Sequence, residues 1–94
     1  MRYKWGMQQT FTTDHAHIRR WAAGRGGMPA IVEGTEAGLR FDWGESDEPL
    51  MRLTWDEFFT ILDEQGLAFS HIEEDDSSVY EFVPRSQAGI YDDE

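Results

Sequence analysis

The sequence predicts an α+β domain of two layers, an αββαββ chain whose two helices cover one face of a mostly antiparallel four-stranded sheet. Three observations carry that expectation. Thr54-Trp55-Asp56-Glu57 is a capping box at the head of an amphipathic run; a second amphipathic run stops at Gly26-Gly27; and each run is followed by two short stretches of strand-forming residues. The second half repeats the first in element type and approximate length, with Trp21 before Gly26-Gly27 matching Leu62 before Gly66, so a pseudo-repeat is expected.

Taken in order, residues 1–12 lack periodicity and are expected to form an N-terminal arm or a short edge strand, with Tyr3, Trp5 and Phe11 available for packing. Thr13 is the expected N-cap of a helix from Asp14 to Arg25, because a hydroxyl there can accept from an orphan amide and Asp14 suits the positive helix end. Ile18, Trp21 and Ala22 fall at i, i+3 and i+4 and predict its buried stripe. Met28 to Glu33, a turn at Gly34 to Gly38, and Leu39 to Trp43 in period-2 alternation predict a hairpin with Leu39, Phe41 and Trp43 on one face. Gly44 to Pro49 is a polar loop. In the second helix Trp55, Phe58, Phe59 and Leu62 recur at helical spacing, Leu53 and Phe58 are placed for a hydrophobic staple, and Gly66 ends the run. Leu67 to Ile72 and Val79 to Val83 are the last two strands, joined by an acidic turn at Glu73 to Ser78. One domain is therefore expected over 13–84, followed by a mobile acidic tail at 85–94.

Composition narrows the function classes. The 94 residues contain 19 Asp and Glu against 8 Lys and Arg, a formal charge of −11, yet 39% are hydrophobic and 14% aromatic. That is enough apolar material for one small core and excludes a chain that stays unfolded throughout. There is no cysteine, so no disulfide or thiolate ligand contributes. No stretch reaches the roughly 18 apolar residues of a membrane helix, and no leader-like run opens the chain, which predicts a soluble cytoplasmic protein. Seven Arg to one Lys beside an acidic excess matches a surface adapted to high salt. The charge is also uneven. Residues 1–32 carry Arg2, Lys4, Arg19, Arg20 and Arg25 against Asp14 alone, whereas residues 33–94 carry eighteen acids and three arginines. The basic part is expected to dock on the acidic remainder.

Several blocks are familiar in combination: Thr13-Asp14-His15, Ile18-Arg19-Arg20-Trp21-Ala22, Arg25-Gly26-Gly27, Pro29-Ala30, Gly34-Thr35, Leu39-Arg40-Phe41-Asp42 and Leu53-Thr54-Trp55-Asp56-Glu57-Phe58-Phe59. Together they resemble a family of small uncharacterised bacterial proteins sometimes labelled 1,4-alpha-glucan branching enzyme, over about residues 11–84. The resemblance implies no catalytic residue. Branching enzymes set their carboxylate pair on a (β/α)₈ barrel of roughly 250 residues, which this chain cannot contain.

No catalytic constellation follows from spacing. Acidic pairs such as Asp56/Glu57 and Asp63/Glu64 are too abundant to mark a site, and Gly24-Arg25-Gly26-Gly27 ends a helix rather than opening one, the wrong end for phosphate. His15 and His17 diverge by about 200° on a helix, and His71 has no second ligand at a metal-site spacing, so neither metal nor other cofactor is expected. Two surfaces remain. Arg19, Arg20, Arg25 and His15 form a positive patch for an anion or a partner, and Tyr3, Trp5, Phe11 and Tyr80 are candidates for an exposed aromatic interface. The reading is a small non-catalytic binding or regulatory module that works through protein contact, homodimerisation included. The alternatives are a nucleic-acid-associated module using Arg19, Arg20 and Arg25, which the net charge disfavours, and a small-molecule binder.

Overall fold

A computed structural model describes residues 9–72 and 79–89. In chain order they form β1 (Gln9–Thr12), α1 (His15–Ala23), β2 (Met28–Val32), β3 (Leu39–Asp42), β4 (Leu50–Arg52), α2 (Trp55–Glu64), β5 (Leu67–Ile72) and β6 (Tyr80–Pro84), then a 3-10 helix at Arg85–Ala88. The protein is α+β with two helices.

Its strands do not form the expected four-stranded sheet. They form two antiparallel three-stranded sheets, ordered β1-β5-β6 and β3-β2-β4. The two additional strands account for the difference. β1 arises from the arm and pairs Phe11 with Ser70; β4 follows the polar loop and pairs Met51 with Ile31. With four and three residues, both are too short to show an alternation. They are strands because a partner edge satisfies their amides, a tertiary effect that local pattern does not encode. Each completes a sheet whose hairpin lies in the other half of the chain, so the halves are joined by strand pairing as well as by core.

The helices obey local rules. Thr54 accepts from the Glu57 amide at 3.0 Å, and the Glu57 carboxylate accepts from the Thr54 amide at 2.9 Å, completing the capping box. At α1 the cap is one residue later than expected: Asp14 accepts from the Ala16 amide at 3.0 Å. Thr13 cedes the role because the Thr12 hydroxyl accepts from the Asp14 amide and fixes the carboxylate over the helix start. The helix also stops earlier, at Ala23, where Gly24 takes the C-cap and Gly26 supplies the left-handed turn at φ 79. Gly27 has a different reason to be glycine: a Cβ there would lie 3.2 Å from the Trp43 ring.

The core is aromatic. Ile18, Ala22, Leu39, Phe58, Leu62 and Phe69 are fully buried, and Phe41 lies among the rings of Trp21, Trp43, Phe58, Phe69 and Phe82. Helix α2 packs against the central strand of each sheet, β2 and β5, and Trp21 of α1 touches Phe41 of one sheet and Phe69 of the other, so both helices tie the two sheets to one core. The edges of β3 and β6 meet through a side chain rather than a strand ladder: the Phe41 amide donates to the Tyr80 hydroxyl at 3.0 Å. Arg85, assigned from sequence to the tail, is fixed instead. Its amide donates to Gly66 O, its Nε to Leu67 O and its Nη2 to Asp63, and the 3-10 helix ends at Gly89. The acidic turn at 73–78 and residues 90–94 lie outside the described residues, as does the arm before residue 9.

Candidate functional site

The positive patch is built on α1. Arg19 and Arg20 are exposed on this helix, with the Arg19 guanidinium 5.9 Å from the Trp55 ring centroid. Arg25 does not stand with them as a free cation. Its guanidinium stacks 4.3 Å from the Trp21 ring centroid and donates to Trp21 O at 3.1 Å, while its own carbonyl accepts from Trp43 Nε1 at 2.8 Å. Stacking on a buried indole and bonding to backbone tie it to the helix terminus. His15 is likewise engaged, lying parallel to Phe59 at 4.2 Å with Nε2 3.1 Å from Asp63 Oδ2. The expected docking of the basic first part on the acidic remainder is not carried by Arg19 or Arg20, which form no ion pair among the described residues; Arg40, Arg52 and Arg85 pair with Glu48, Asp42 and Asp63 inside the acidic part.

Of the aromatic candidates, Tyr3 and Trp5 lie outside the described residues. Tyr80 is not an exposed aromatic: it is half-buried against Phe41, Trp43 and Phe82, and its hydroxyl accepts from the core strand β3. Its position two residues before Phe82, on the covered side of β6, is the physical reason. Burial pushes its hydroxyl above the ordinary phenol value, against the opposing pull of the Phe41 amide and Arg40. Phe11 does reach the surface, with 38% of its area exposed. Register places it opposite Ser70, itself opposite Glu81, on the sheet face turned away from Phe69 and Phe82. Ile72, half-buried, and Val79, 64% exposed, continue that side. Phe11 and Ile72 therefore share one face of the β1-β5-β6 sheet, on which Ala68, Ser70 and Val83 are buried, and Val79 stands exposed just before β6.

The groove between the sheets has a volume of about 440 Å³ and is lined by Leu39, Arg40, Glu48, Tyr80, Glu81 and Phe82. Arg40 spans its rim, with Nε 2.9 Å from Glu48. Two residues further along β3 the Gly44 amide, aided by Arg52, draws the Asp42 carboxyl below its ordinary value. Neither place brings a nucleophile to a base.

One juxtaposition was invisible in the sequence. His17 of α1 and His71 of β5 bring their Nε2 atoms to 3.0 Å. His71 is 4% exposed, and its ring stacks on Phe69 at 5.2 Å and leans on Trp21 at 5.5 Å. The separation of 54 positions hid the pair; the signal that could have found it is Trp21, one helical turn after His17, packing over the same strand. Among the described residues no three or more His, Cys, Asp or Glu side chains gather as a metal cluster, and no helix is long and apolar enough to cross a membrane. Comparison with family models, with curated proteins and with solved structures returns no match.

Proposed function

We propose that this chain is a small non-catalytic binding or regulatory module of the cytoplasm, acting by protein contact through the Phe11 face and the edge strand β1 of the β1-β5-β6 sheet. The supporting observation is the exposure of Phe11 and Val79 on one side of that sheet, next to an edge strand. Apolar side chains grouped on a sheet gain most by being covered, and an edge strand offers backbone donors and acceptors to the covering chain. A second copy of this chain is the first partner to test. The doubled βαββ order, with Asp14 and Thr54 as its two helix caps, fits the pseudo-repeat reading of the architecture.

The test is affinity capture of the tagged full chain from its own cell lysate with and without nuclease, alongside sedimentation velocity of the pure protein. A stoichiometric partner, or a dimer, that survives nuclease and is lost in the Phe11→Ser/Val79→Lys double variant is the expected result. Capture that vanishes with nuclease, or with Arg19→Ala/Arg20→Ala, would overturn it in favour of a nucleic-acid-associated module, whose binding falls steeply with salt.

A further inference from the structure

We infer that His17 and His71 form a two-nitrogen binding site for a late first-row divalent ion, Cu²⁺, Ni²⁺ or Zn²⁺. Imidazole nitrogens bind such ions at about 2.0–2.1 Å, so two of them held between a right angle and a tetrahedral angle stand roughly 2.9–3.4 Å apart. The Nε2 atoms of His17 and His71 are 3.0 Å apart, within that range. The site is therefore built by folding, one ligand on a helix and one on the central strand of a sheet, and the entropy of bringing the ligands together is spent before the ion arrives.

The surroundings suit a ligand pair. The His71 Nδ1 lies 3.4 Å from Ile72 O, a long contact that favours a hydrogen on Nδ1 and leaves the Nε2 lone pair facing His17. Phe69 and Trp21 wall the His71 ring and limit its rotation. Without an ion, one hydrogen serves the two Nε2 atoms. When an ion enters, that hydrogen moves to His17 Nδ1 and both Nε2 lone pairs turn to the ion. His15 takes no part, because its Nε2 faces Asp63 on α2. Copper should bind most tightly of the three ions.

Calorimetric titration of the metal-free full chain with Cu²⁺, Ni²⁺ and Zn²⁺ tests the inference, with electron paramagnetic resonance of the Cu²⁺ form reading the bound nitrogens. The expected result is one ion per chain, copper tightest, two imidazole nitrogens in the spectrum, and affinity lowered by roughly tenfold or more in His17→Gln. His15→Gln should bind as the parent does. His71→Gln is the more disruptive change, so the half-buried His17 variant, checked for native circular dichroism, carries the decision. No binding by the parent chain, unchanged affinity in His17→Gln, or an equal loss in His15→Gln would overturn the site.

Discussion

Tyr80 shows what a single side chain does here. Its hydroxyl is the acceptor for the Phe41 amide at the edge of β3, so Tyr80→Phe keeps the ring packing and removes only that oxygen. The Phe41 amide is then left without its acceptor, and stability should drop by about 1–3 kcal/mol, measured by urea denaturation at neutral pH. The same residue gives a pH dependence. Its phenol value is raised in the fold by burial, so the unfolded chain releases the proton first as pH rises. The contribution is complete below the unfolded value of 10.0 and is lost as pH climbs through the higher folded value. Denaturation midpoints should fall above about pH 10 in the parent, and this alkaline slope should be smaller in Tyr80→Phe; equal slopes would place the loss elsewhere.

At the scale of elements, the termini of α2 set how firmly the two sheets share a core. Thr54→Ala removes the oxygen that the Glu57 amide uses and should cost about 1 kcal/mol, with the change appearing as a shift in denaturation midpoint at constant slope. At the other end Gly66 sits at φ 64, and its carbonyl accepts from the Arg85 amide. Gly66→Ala forces a Cβ into the left-handed region and should cost about 1 kcal/mol. Arg85→Ala acts on the same corner from the far side by removing the bonds to Leu67 O and Asp63, and amide exchange at positions 67 and 85 should quicken while α1 is unaffected. A uniform rise in exchange across both helices would show that Arg85 holds the whole fold.

For the molecule as a whole the dominant number is the charge of −11, spread over 94 residues. The ion pairs Arg40–Glu48 and Arg52–Asp42 reach solvent, so each is worth little and is weakened by salt. Mutual repulsion among the excess acids is weakened too, and it acts over more of the surface. The melting temperature should therefore rise from low salt to molar salt. A fall over the same range would mean that the ion pairs outweigh the repulsion.

What the sequence determined by itself is whatever depends on neighbours within a few positions. The α+β class, the capping box at Thr54, the buried stripe Ile18-Trp21-Ala22 and the alternation of Leu39 and Phe41 all follow from hydrogen bonds and periodicities that span one or two turns. The Asp14 cap lay one residue from its expected place because two hydroxyls and a carboxylate compete over a three-residue stretch. Tertiary structure alone decided the rest. β4 became a strand because β2 offered it an edge, and β1, which the sequence left between an arm and a short edge strand, became one by pairing with β5, so that two sheets stand where one was expected. It withdrew Arg25 and Tyr80 from the surface, since a guanidinium and a phenol beside a buried indole gain more from packing and bonding to backbone than from solvent. And it set His17 against His71, a meeting governed by how α1 lies on β5, for which no spacing in a linear chain can substitute.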